Sequence, residues 1–143
     1  MTNGTATLGS RSSAWMGIAA GAGLTVLFTF IAGLIGALFQ VPTVTLFLGA
    51  IAFLAAGAVT ARIRPNANAL EPALGAALAV LVFAILQVIT LRERLLAEMS
   101  AGQVGLSMLF SVLLAFALAW LGARIVLRAR GGRSPHAPSP LGS

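Results

Sequence analysis

Four long apolar runs, Trp15–Phe39, Val44–Ala61, Leu70–Leu91 and Val104–Ala123, make up most of this chain, and almost nothing ionisable interrupts them. A helix crosses the hydrocarbon core of a bilayer in roughly 20 residues. Backbone inside lipid finds no water to bond, so a spanning segment must close its hydrogen bonds internally, and a helix does so. The expected fold is all-α: an integral membrane protein of four transmembrane helices in an up-down bundle, with the lipid bilayer as its first partner.

Charge supports the same solvent. Only 8% of the residues are charged, against about 25% in soluble domains. All nine basic residues are arginine, and they lie in the loops, tails and span ends. The net charge of +6 is therefore read as membrane topology and gives no reason to expect a nucleic-acid partner. Arg11 precedes the first run much as a signal peptide would begin, but a signal core is only about 7–15 residues long. Trp15–Phe39 is longer and reads as an uncleaved first span.

Punctuation divides the chain. Residues 1–14, rich in Thr, Ser, Gly and Asn, are expected as a disordered cytoplasmic terminus, 15–127 as the membrane domain, and 128–143 as a basic, then Pro/Ser-rich, disordered tail. Pro42 enforces a turn after the first span, and Pro65 another after the second. Asn68 followed by Glu71 resembles a capping box, with Pro72 in the first turn of the third helix. Leu91–Met99 extends the third span or lies along the interface, with Leu95, Leu96 and Met99 on one side, and Ser100-Ala101-Gly102 breaks it. Ala61-Arg62-Ile63 and Ala123-Arg124-Ile125 close the second and fourth spans alike, a faint sign of two hairpins built to one design.

The arginines give an orientation. With the N-terminus inside, Arg11, Arg62, Arg64, Arg124, Arg128, Arg130 and Arg133 face the cytoplasm, and only Arg92 and Arg94 face out. The positive-inside rule then places both termini in the cytoplasm. The expected location is the bacterial cytoplasmic (inner) membrane, as a multi-pass protein. Trp15 and Trp120 suit the aromatic belt on the inner side.

The strongest internal pattern is small residues at every fourth position: Gly17, Gly21, Thr25, Thr29, Gly33 and Ala37 in the first span, and Ser107, Ser111, Ala115, Ala119 and Ala123 in the fourth. Shorter versions, Ala52-Ala56-Thr60 and Ala69-Ala73-Ala77, occupy the other two. Helices in lipid associate by close backbone contact, which small residues allow. The stripes pack the monomer, and one of them is a candidate interface for another chain.

Polar residues inside the spans are few. Thr25, Thr29 and Ser111 lie near the bilayer centre, where a hydroxyl ordinarily bonds back to its own helix at i−4. Gln40, Thr43, Gln87, Thr90 and Gln103 fall near the outer ends, a collar at headgroup depth. Glu71 reads as a helix-capping acid at the inner end of the third span. Arg92, Glu93, Arg94 and Glu98 form a solvated mixed-charge helix end. Glu71 and Gln87 are the polar residues with the best claim to a functional part.

Chemistry is excluded more readily than assigned. Without cysteine, and with His136 as the only histidine, no cofactor, metal or catalytic residue is expected. An intramembrane carboxylate or histidine, the usual element of proton-coupled transport, is missing from the span interiors. Four spans at this length resemble the build of small multidrug transporters, fluoride channels, glycan-lipid flippase-like proteins and membrane-bound glutathione-utilising enzymes, but their polar signatures are absent. The expected function is non-enzymatic: association through helix–helix contact, as an accessory or assembly subunit or a self-associating module, with a homo-oligomeric or heterologous membrane partner. The alternative is a small homo-oligomeric pore or carrier, holin-like or channel-like.

Overall fold

The computed structural model describes residues 6–64 and 68–131. They form four helices: α1 (Ala6–Phe39), α2 (Pro42–Ile63), α3 (Leu70–Glu98) and α4 (Ala101–Gly131). Each contains a stretch long and apolar enough to cross a membrane: Ala14–Phe39, Thr43–Ile63, Leu70–Arg94 and Ala101–Gly131.

Two boundaries differ from expectation. α1 begins at Ala6, so residues 6–14 are helical and not a disordered terminus. No proline lies between Ala6 and the span, and a nucleated helix propagates readily. α4 likewise runs past residue 127 to Gly131. Residues 1–5, 65–67 and 132–143 lie outside the described residues. With them go Arg133, His136 and the Pro/Ser tail.

The turns follow from local chemistry. Pro42 forces its predecessor out of the helical region, and Val41 is extended (φ −110, ψ 112). α1 must stop before it, and Gln40 makes the stop in the left-handed region, at φ 52. α3 starts with Leu70 N–H donating to Asn68 Oδ1 at 3.5 Å. α4 starts with a reciprocal capping box. Ser100 N–H donates to Gln103 Oε1 (2.9 Å) and Gln103 N–H to Ser100 Oγ (3.3 Å). Near its far end α3 kinks at Leu91 (φ −112, ψ 18), where the apolar run gives way to Arg92-Glu93-Arg94.

Helix neighbours close a ring in the order α1, α2, α4, α3. α2 and α3 touch little across it, and α1 and α4 make no contact among the described residues. The α1–α2 hairpin thus lies on the α3–α4 hairpin, α1 against α3 and α2 against α4. Gly17 meets Glu71, Arg64 faces Glu71, and Arg130 reaches Ala61. These contacts bring the start of α1, the end of α2, the start of α3 and the end of α4 together at one end of the molecule, called here the terminal end. The hairpin turns at Gln40 and Ser100 occupy the loop end.

The interior inverts the rule of soluble proteins. Large apolar side chains such as Phe30, Leu38, Phe47, Ile89 and Phe110 are exposed. The core is Ala, Gly and Thr, and the largest fully buried side chains are Thr25, Thr60 and Pro72. Both seams between the hairpins are backbone on backbone. A Cβ on Gly21 would stand 2.8 Å from Pro72 Cα, and one on Gly75 would strike the backbone of Ile18 and Ala22. Across the other seam, a Cβ on Gly57 would strike Ala119, and one on Gly122 would strike Leu54. In lipid, where apolar area gives helices no reason to associate, such contact is the main source of cohesion. At the terminal end Ala61, Ala69 and Ala123 form a small buried cluster, covered by Trp120, Val126 and Leu127.

Candidate functional site

A strict spacing of four overshoots the 3.6-residue turn by about 40° at each step. A stripe of six must therefore rotate off any straight interface, and in α1 it does. Gly17, Gly21 and Thr25 are buried, whereas Thr29, Gly33 and Ala37 are exposed. Ala32 and Gly36 take over the buried face, with the Thr45 side chain resting on Gly36. α4 divides in the same way. Ala115, Ala119 and Ala123 are wholly buried, while Ser107 and Ser111, nearer the loop end, are exposed. Each stripe drifts around its helix, and only the half toward the terminal end packs the monomer.

The exposed half of the α1 stripe borders a groove. Thr25, Val26, Thr29, Phe30, Gly33 and Leu34 of α1, with Ala79, Val80 and Phe83 of α3, line a recess of about 470 Å³. A Cβ on Gly33 would meet nothing within 4 Å. Thr25 is 2% exposed, and its Oγ1 has no hydrogen-bond partner. Back-bonding was expected for such hydroxyls, and it does occur in Thr60 to the Ala56 carbonyl (2.8 Å) and Ser111 to the Ser107 carbonyl (2.9 Å). Thr25 departs from that pattern. A buried hydroxyl without a partner is destabilising. Gln87 is exposed and stands one turn beyond Phe83 on the same face of α3, toward the loop end.

The remaining polar candidates have local tasks. Gln40 is the left-handed turn residue. Gln103 is the α4 cap, which sequence reading assigned to the collar although Ser100-x-x-Gln103 is a legible capping signature. Thr43 and Thr90 are exposed. The described side chains of the α3 tip include Arg92, Glu93 and Arg94, all exposed, while those of Leu95, Leu96 and Glu98 lie outside the description.

Glu71 does not complete the expected capping box. Its carboxylate turns away from Asn68 into the notch left by Gly17 of α1. Oε2 is buried without a hydrogen bond and lies 3.9 Å from Arg64 Nη1. The pair ties the end of α2 to the start of α3, over α1. The other arginines of the terminal end divide. Arg130 caps α2, donating to the carbonyls of Ala61 (3.3 Å) and Arg62 (2.9 Å), a favourable place for a cation. Arg124 lies 4.6 Å over the Trp120 ring. Arg62 and Arg128 are exposed.

No family model, curated protein or solved structure matches the chain.

Proposed function

We propose that this protein is a membrane subunit that acts by docking a transmembrane helix of a different protein in the groove between α1 and α3, with both of its own termini in the cytoplasm. The unpartnered Thr25 hydroxyl, buried beneath the apolar surface of the groove, carries the reading; rotation about χ1 would turn it toward an incoming helix. A lipid tail would fill the space but offers no hydrogen bond, whereas a polar side chain or a loosely held carbonyl on an incoming helix does. Gly33 and Ala79 leave room for close backbone approach. Gln87 supplies a second polar contact about two turns farther along.

A second copy of the chain suits the groove less well. Apart from Thr29, which belongs to the groove itself, the exposed hydroxyls and amides within the spans, Ser107, Ser111, Gln87 and Thr90 among them, stand nearer the loop end than Thr25 does. The pore reading has a polar track in Gln103, Ser107 and Ser111, but that track ends at Ala115, which is fully buried.

Site-specific photo-crosslinking in native membranes tests the proposal. A photoreactive residue in place of Phe83, on the groove wall, is expected to give one discrete adduct, and one in place of the outward Leu113 none. Gly33→Leu should abolish the adduct by filling the groove, and Thr25→Val should weaken it several-fold, the worth of one interhelical hydrogen bond. An adduct of twice the chain's mass would replace the heterologous reading by self-association. Equal labelling at both positions would dismiss the groove altogether.

A further inference from the structure

The flank of α4 that leads away from its buried alanines carries a second feature, independent of the groove. Arg124 and Arg128 are one turn apart and both exposed, so they share a face. The Arg124 guanidinium lies over the indole of Trp120, 4.6 Å from the ring centroid, and Trp120 is itself half-buried against the Ala61–Ala69–Ala123 cluster. This ladder of ring, guanidinium and guanidinium leaves the last apolar turn of the helix. Like charges at this spacing repel, and among the described residues neither arginine has an ion pair. The only described carboxylate at this end of the molecule is Glu71, which faces Arg64. Arg130, two positions beyond Arg128, points elsewhere, to the carbonyls that end α2.

We infer that Trp120, Arg124 and Arg128 form a binding site for the phosphate of an anionic phospholipid. Guanidinium groups present fixed forks that match phosphate oxygens, and one phosphate between two of them turns repulsion into a clamp. Stacking on the ring holds Arg124 in place before binding, which removes part of the ordering cost. Tryptophan sits by preference where hydrocarbon meets headgroup, so the ring sets the depth and packs against the glycerol and upper chain. Two positive charges call for a headgroup with net negative charge. A choline headgroup brings its own cation and gains nothing from the second arginine.

The test uses the full chain reconstituted in nanodiscs holding equal amounts of phosphatidylglycerol and phosphatidylcholine, followed by gentle release and mass spectrometry of the lipids that stay bound. Phosphatidylglycerol is expected to be enriched over phosphatidylcholine, by about fivefold for each guanidinium engaged. Arg124→Gln with Arg128→Gln should bring the ratio back to that of the bilayer, whereas Arg62→Gln, an exposed arginine on α2, should leave it enriched. Equal retention of both lipids in the unaltered chain overturns the inference. So does an unchanged ratio in the double variant, or an equal loss from Arg62→Gln, which would signal diffuse attraction only. Displacement of the lipid by millimolar inorganic phosphate would assign the site to free phosphate and also overturn it.

Discussion

At the scale of single residues, the fold depends on what glycine leaves out. The Cβ that Gly57 lacks would fall on the backbone of Ala119, and backbone cannot swing aside as a side chain can. Gly57→Ala is therefore expected to separate α2 from α4 and destabilise the protein by about 1–3 kcal/mol, the usual cost of overpacking. Gly49, on the same helix, has nothing within 4 Å of its missing Cβ. There the same change should raise stability by up to about 1 kcal/mol, through the better helix propensity of alanine. Thermal unfolding of the two variants in one detergent checks both signs. Composition alone places both glycines in a span and cannot tell them apart. What separates them is which face of α2 meets α4, a fact about packing. Thr25 and Thr60 make the same point. Each is a buried threonine with a carbonyl four residues back, yet only Thr60 bonds to it.

At the scale of elements, the helix ends carry most of the polar structure, and their legibility depends on sequence separation. The Ser100–Gln103 box is local and could be read directly. Gln103→Ala is expected to cost about 1 kcal/mol, as other lost caps do, and to speed amide exchange in the first turn of α4. The cap on α2 could not be read, because Arg130 lies 69 residues from the Ala61 carbonyl it serves. In sequence it is one more tail arginine. Arg130→Met should destabilise by about 1 kcal/mol, the net worth of such hydrogen bonds, while Arg128→Met in an uncharged detergent should change little. Chemical denaturation of the pair distinguishes a structural arginine from one that serves topology. The spans themselves were plain from hydropathy because length and apolarity are additive along a chain. The start of α1 was missed because Ala6–Ala14 has no apolar signal of its own and is helical by extension from the span.

At the scale of the whole molecule, the two hairpins are tight toward the terminal end and part on the α1–α3 side, and the groove is the result. No sequence pattern announces it, since the same stripe of small residues runs through both the packed half and the open half. The arginine distribution predicts the orientation: a reporter active only in the cytoplasm, fused after residue 143, is expected to be active, and one inserted at Ser100 inactive. The reverse result would turn the arginine argument over. The glycine seams have a further consequence for assembly. Two hairpins that meet largely through bare backbone interlock few side chains, those of the terminal end apart, and each already closes its own helical hydrogen bonds in lipid. Each half can therefore enter the bilayer alone and find the other afterwards. Cut in the connection at residues 65–67 and produced as two separate chains, the halves should still purify together, and Gly57→Leu should part them. The protein would then be, in effect, a dimer of unlike hairpins that happens to be made as one polypeptide.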